Sequence, residues 1–297
     1  MRPSVASAVR HDSGASLPPI VPIVLAIAGF DPASGAGMTA DLKVFAAHRL
    51  YGLSAITALT VQSTLGVRRS QPVDSGLLAE TLDCLAHPDE DLPIAGVKIG
   101  MVGSAENVSV IADWLTRCGL PRERVVLDPV LVSSSGRELL DRPGIARVRE
   151  QLLPRVGWIT PNLGELACLT GLPVEDREQM LAAARHLASE AGLGVVATGG
   201  HLDPPDDLLV LPASFSRKAG GQAADEGIFW FPGQRIESRA THGTGCAFSS
   251  ALLCHLVLGE SPTAAVDCAK QYVRQAMLAA YPVGRGRGPL HHLYALR

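Results

Sequence analysis

The chain has 297 residues, of which 47% are hydrophobic and only 4% aromatic, and its formal net charge is −3. That length buries a full core of Ala, Val, Leu and Ile, which suits helices packed on a sheet better than an aromatic-rich sandwich. The absence of a basic excess argues against nucleic acid as the main partner. The six cysteines include no CxxC pair, so neither a zinc site nor a disulfide framework is indicated, and a reducing cytoplasm fits.

Residues 1–20 are rich in Ser, Ala and Pro and lack an apolar signal-peptide core, so a disordered extension is expected there, followed by one domain over 21–297. No apolar run approaches 18 residues, which argues against a membrane span. Strand-like runs then follow at 23–28, 54–61, 96–99, 125–127, 158–160 and 195–198, with helical spacing between them. In the stretch 176–191, for instance, Met180, Ala184, Leu187, Ala188 and Ala191 share one face. Nearly continuous apolar strands alternating with amphipathic helices indicate an α/β chain with a parallel sheet covered on both faces. Residues 202–238 break the rhythm and predict a strand–loop–strand excursion, with a flexible tip at 214–226 and a strand at 228–231. Two helices are expected at 244–258 and 262–280.

Four segments carry chemistry. The first, GFDPASGAGMTADLK from Gly29 to Lys43, follows a strand and opens a helix. Gly35, Gly37 and Ala40 match a loose dinucleotide-binding turn, but no Asp or Glu occurs between Asp41 and Asp74 to hold a ribose. The glycines either allow a tight turn or let bare backbone pack on a flat ligand, with Asp31 available as an acceptor. No GxxxxGK[ST] motif is present, which excludes a P-loop. The second is Leu59-Thr-Val-Gln-Ser-Thr64, where Gln62 either faces solvent or offers a donor and an acceptor to a ring edge.

The third pairs Asp128, at a strand end, with Thr160-Pro-Asn-Leu-Gly-Glu165. Asn162 and Glu165 have the spacing of a capping box and are also oxygen donors of the kind Mg²⁺ prefers. The fourth is Ala240-Thr-His-Gly-Thr-Gly-Cys-Ala-Phe-Ser-Ser250, with glycines just ahead of an apolar helix. Free N–H groups at a helix start form an anion site suited to a phosphoryl group in transfer. A thiol beside them is expected to have a lowered pKa, which makes Cys246 a base or hydroxyl-orienting group; the alternative is a small buried apolar residue.

In this order the segments resemble the hydroxymethylpyrimidine/phosphomethylpyrimidine kinases of thiamine biosynthesis, in the ribokinase-like superfamily. The marks are GFDPASGAGMTADLK, GLSAITALTVQSTLGV, VKIGMVGS, VVLDPVLVSSSG, ITPNLGEL, GGH, THGTGCAFSSAL and GRGRGP, spread over residues 23–291. The resemblance implies a three-layer α/β/α ribokinase-like fold with a mostly parallel central sheet. It also implies ATP-dependent phosphorylation of 4-amino-5-hydroxymethyl-2-methylpyrimidine and of its monophosphate, by a cytoplasmic homodimer. Carried over by position, Cys246 is catalytic, with Gly243, Thr244 and Gly245 as its anion hole. Asp128, Asn162 and Glu165 surround Mg²⁺; Thr198, Gly200 and Thr241 meet ATP; Gln62, Gly29, Asp31, Ala36 and Met101 hold the pyrimidine. The chain departs from the family pattern at Phe30, at Thr39, and at Thr198, where a lysine near the ATP phosphates is usual. Two alternatives stand beside this reading: a pyridoxine or pyridoxal kinase, and a non-catalytic pyrimidine-binding relative.

Overall fold

The computed structural model describes residues 21–133, 135–212 and 227–296. The expected extension at 1–20 and loop tip at 214–226 lie outside the described residues. In chain order the strands are β1 (Ile23–Phe30), β2 (Tyr51–Ser63), β3 (Gly66–Pro72), β4 (Ile94–Ile99), β5 (Val125–Leu127), β6 (Trp158–Ile159), β7 (Gly194–Ala197), β8 (Asp207–Val210) and β9 (Ile228–Phe231). The helices are α1 (Gly37–Ala47), α2 (Ser75–Leu85), α3 (Ala105–Arg117), α4 (Arg142–Arg147), α5 (Leu163–Thr170), α6 (Arg177–Ala191), α7 (Thr244–Val257) and α8 (Pro262–Leu278).

The strands form one sheet in the order β3-β2-β1-β4-β5-β6-β7-β8-β9. Pairing is parallel from β2 across to β7 and antiparallel at both edges, where β3 pairs with β2 and β8 with β7 and β9. The period of two along β1 makes the three layers. Leu25 and Ile27 join a core with Leu82, Ile111, Trp114, Leu166 and Leu187, whereas Val24 and Ala26 join one with Val44, Phe45, Leu252 and Ala269. Helices α2, α3, α5 and α6 therefore cover one face, and α1, α7 and α8 the other.

The mostly parallel α/β/α expectation holds. The helix expected from residue 176 begins at Arg177, because the Asp176 side chain caps it by accepting from Gln179 N, and Gly192 ends it in the left-handed region. The strand–loop–strand expected over 202–238 is present as β8 and β9, paired antiparallel. One strand was not foreseen: in β3 the Arg-Arg-Ser-Gln run sits on an exposed edge and shows no apolar alternation.

Backbone pairing continues past the parallel strands at their C-terminal ends. Gly100 N donates to Ile27 O, Asp128 N to Ile99 O, Thr160 N to Leu127 O and Thr198 N to Pro161 O. This staircase brings the segments after β1, β4, β5, β6 and β7 to one rim, where parallel sheets place ligands.

Candidate active site

At the first step of that rim, the turn after β1 folds around a single side chain. The Asp31 carboxylate accepts from Ala33 N (2.8 Å), Gly35 N (3.1 Å) and Ala36 N (2.9 Å), and His242 Nε2 lies 2.8 Å from its Oδ2. Oδ2 of Asp31 is occupied in shaping the turn, whereas Oδ1 accepts from Ala33 N alone and keeps room for a further donor. Burial opposes its charge, but the His242 contact and these amides outweigh it and hold the carboxyl below its ordinary range. The turn then enters α1 at Gly37, whose φ of +56° and close approach to the Gly29 carbonyl leave no room for a side chain.

The turn before α7 meets this loop. Gly243 sits at the N-cap with φ of +87°, and no side chain caps the helix, so its first amides face the cleft. His242 spans the junction, with Nε2 also 3.0 Å from Gln62 Nε2, while Thr60 Oγ1 donates to Gln62 Oε1 (3.2 Å). A carboxylate at 2.8 Å requires the proton on His242 Nε2, so the Gln62 amide nitrogen beside it is a second donor and the two make no hydrogen bond; Gln62 is held through its Oε1 by Thr60. Gly29 lies against the Met101 thioether, which gives the cleft a flat apolar wall.

Asp128 stands across from the helix start: both its carboxylate oxygens lie 3.9 Å from where a Cβ on Gly245 would be. Its Oδ2 accepts from Ser249 Oγ at 3.1 Å. Burial pushes the Asp128 carboxyl above its ordinary value, opposed by Lys98 and by hydrogen bonds from Ser249 and Cys246. Asn162 and Glu165 form the capping box of α5, with Asn162 N donating to Glu165 Oε2 (2.9 Å) and Glu165 N to Asn162 Oδ1 (3.0 Å). Burial, and then the neighbouring Asp128 charge, push Glu165 up to about 8. Capping and cleft lining thus coexist in the same two residues.

The lowered thiol pKa expected for Cys246 is corrected. Burial dominates, and the charges of Asp128 and Asp41 add to it, so that the thiol is pushed up to about 12 despite the opposing pull of Lys98. The helix-start amides do not overcome two nearby carboxylates. Instead the protonated thiol is held between the Gly37 backbone and Asp128.

All the sequence-predicted residues line one cleft: Gly29, Asp31, Ala36, Gln62 and Met101 on one side; Asp128, Asn162, Glu165, Thr198 and Gly200 on the other; Thr241, Gly243, Thr244, Gly245 and Cys246 between them. Three further residues were missed. His242 was inside a quoted motif but was given no role. Lys98 interrupts an apolar strand and forms a buried ion pair with Asp41 at 2.9 Å. Burial works against its charge, but Asp41 more than offsets this and holds the lysine above its ordinary value. Lys270, on α8, lines the cleft and donates to Asp207 Oδ2 at 2.7 Å, while Asp207 Oδ1 accepts from Gly199 N at 2.9 Å. A cation therefore stands one carboxylate away from the backbone next to Thr198. Its place on a half-buried helix face gave no motif signal.

Residues 31–291 match the phosphomethylpyrimidine kinase family. The chain is 38% identical over 280 residues to the hydroxymethylpyrimidine/phosphomethylpyrimidine kinase of Rhizobium meliloti, covering 92% of this chain and 97% of that protein. It is 39% identical over 274 residues to the thiamine biosynthesis bifunctional protein ThiED of Geobacter sulfurreducens, covering 92% of this chain but 52% of that protein. Among solved structures, the phosphomethylpyrimidine kinase of Clostridium difficile matches with a TM-score of 0.71 and 31% identity, over 86% of this chain and 99% of that one. The pyridoxal kinase of Staphylococcus aureus in complex with AMP-PCP and pyridoxal matches with a TM-score of 0.76 and 26% identity, over 92% and 94%.

Proposed function

The chain belongs to the phosphomethylpyrimidine kinase family, and we propose that it moves the γ-phosphoryl group of ATP onto two successive acceptors. The first is the hydroxymethyl group of 4-amino-5-hydroxymethyl-2-methylpyrimidine; the second is the monophosphate so formed, giving the diphosphate used in thiamine biosynthesis. The observation that carries this reading is the uncapped start of α7, which opens between a flat apolar wall and a carboxylate cluster. Its amides suit the charge that spreads over a phosphoryl group in transfer, and they are preorganised because nothing else uses them.

Each residue has a role in this reading. Gly243, Thr244 and Gly245 offer their backbone to the transferring group. The Cys246 thiol, with its proton directed to Asp128, turns a sulfur lone pair to the incoming hydroxyl and orients it. Gln62, Gly29, Ala36 and Met101 hold the ring, and Asp31 serves it indirectly through the loop it shapes. Thr198, Gly200 and Thr241 meet the nucleotide.

Mg²⁺ fits the donor set. Asp128 and Glu165 are close enough that one opposes ionisation of the other, and a hard dication beside them and the Asn162 oxygen relieves that repulsion. When bound, the ion neutralises phosphate charge. A homodimer belongs to the same reading and is supported by the exposed apolar residues Leu59 and Val61 on β2 and Leu65 in the turn to β3. A cytoplasmic setting is supported by six free cysteines. Among the described residues no helix is long and apolar enough to cross a membrane.

A coupled ADP-release assay with the aminopyrimidine and with pyridoxal tests this function. The expected result is release with the aminopyrimidine, reaching two ADP per pyrimidine at completion. Release with pyridoxal alone would make the chain a pyridoxal kinase, and release with neither would make it a binding protein.

A further inference from the structure

Beside Asp128 lies a buried ion pair, Lys98 with Asp41, that none of these roles uses. Lys98, on the central strand β4, is fully buried. Its Nζ donates to both oxygens of Asp41 on α1, at 2.9 and 3.0 Å, and lies 3.8 Å from Asp128 Oδ2. Helix α7 closes the cluster: Ser250 Oγ donates to Asp41 Oδ1 (2.8 Å) and Ser249 Oγ to Asp128 Oδ2 (3.1 Å). The cluster thus ties together the helix that follows the ring loop, the helix that carries the anion hole, and the carboxylate beside that hole.

A buried ion pair is a poor way to gain stability, since replacing both partners by well-packed neutral residues is often neutral or favourable. Apolar packing already flanks this one, with its registered neighbours Ala26 on β1 and Val126 on β5 both fully buried. What packing alone does not supply is a fixed location for a second buried carboxylate at the cleft.

We propose that Lys98 is a positioning residue for phosphoryl transfer, which with Asp41 and Ser249 fixes the Asp128 carboxylate relative to the first turn of α7. It touches neither substrate and acts through Asp128, so the inference rests on the role given to Asp128 above. Misplacing a reacting arrangement by about 1 Å can cost on the order of 10²-fold in rate.

The decisive variant is Lys98→Met/Asp41→Asn, which removes both charges and keeps the Ser250 contact. Its thermal midpoint, steady-state kinetics and ADP binding, by calorimetry with and without Mg²⁺, are compared with wild type. The expected result is a folded protein whose pyrimidine KM stays within about 3-fold while kcat falls about 10- to 100-fold, with a weakened Mg²⁺-dependent part of ADP binding. Wild-type kcat and unchanged Mg²⁺-dependent binding would overturn the proposal and leave Lys98 a structural residue. Should the double variant not fold, Ser249→Ala removes the hydroxyl that Asp128 shares with the Gly245 and Cys246 carbonyls, and with it a tie between Asp128 and the first turn of α7. It is expected to lower kcat several-fold at unchanged pyrimidine KM, and an unaltered kcat would overturn the proposal equally. Asp128→Asn separates the two readings. An inactive Asp128→Asn beside a fully active double variant sinks this inference alone, whereas a fully active Asp128→Asn sinks the Asp128 role and the inference with it.

Discussion

The α-carbon of Gly243 rests on the carbonyl oxygen of Gly35, so closely that even a methyl group has no room between them. In the proposed function the first residue belongs to the anion hole and the second to the loop that shapes the ring pocket. His242 is bonded to Asp31 across the same junction, so the two turns are joined by a backbone contact and a side-chain hydrogen bond. A ring held in the loop is therefore held at a fixed distance from the helix amides, as in-line transfer requires.

Ring selection is expected to lie with Gln62. Its amide oxygen accepts from Thr60, and its amide N–H groups keep hydrogen-bonding capacity toward the cleft. Gln62→Met preserves length and removes both polar groups, which leaves the aminopyrimidine edge unpaired at a cost of about 1–3 kcal/mol, or roughly 5- to 150-fold. Pyridoxine lacks the exocyclic amine and should suffer less. The quantity to measure is the ratio of kcat/KM for the two rings; a ratio unchanged by the substitution means that Gln62 does not read the ring.

Thr198→Lys is expected to tighten ATP binding only a few-fold. A single partly exposed charge pair contributes about 1 kcal/mol or less, and Lys270 already stands near this backbone through Asp207. The effect should shrink at high salt. An ATP KM that is the same at low and high salt in both proteins would place the phosphates elsewhere.

Glu165→Gln carries a pH signature. With its folded value raised from 4.5 to about 8, Glu165 makes the native state bind more protons than the unfolded state between those values. Wild-type stability from this group therefore falls as pH rises from about 4.5 to about 8, by at most about 1.4 kcal/mol per unit. Glutamine can still cap α5, so the variant should gain in thermal midpoint relative to wild type as pH rises through that window, while needing more Mg²⁺ for activity. Identical pH dependence of the two midpoints, with an unaltered Mg²⁺ requirement, would leave Glu165 as a cap and nothing else.

What the sequence revealed and what it hid have separable causes. The parallel core was legible because strands such as β1 are apolar on both faces, and the cleft because its residues lie in short motifs at strand and helix ends. The part Asp31 plays in the turn was hidden because an acidic side chain in a glycine loop looks the same whether it serves the ligand or the turn. The thiol of Cys246 was misjudged because its burial, and then the carboxylates of Asp128 and Asp41, come from distant segments, whereas the dipole of its own helix is local. Lys98 escaped for the same reason: its partners lie 57 positions away, on α1, and just beyond β5.

The central claim is that one pocket serves two nucleophiles that differ in what they need from Cys246. A hydroxyl must be turned into line for attack, whereas a phosphate monoester is already ionised at neutral pH and presents an attacking oxygen whichever way it turns. The direct measurement is single-turnover phosphoryl transfer by Cys246→Ala, with the hydroxymethylpyrimidine and its monophosphate as separate substrates. The first transfer should fall on the order of 10²-fold, and the second by less than about 10-fold, with ADP binding unchanged. Equal losses on both substrates, or none on either, would contradict it.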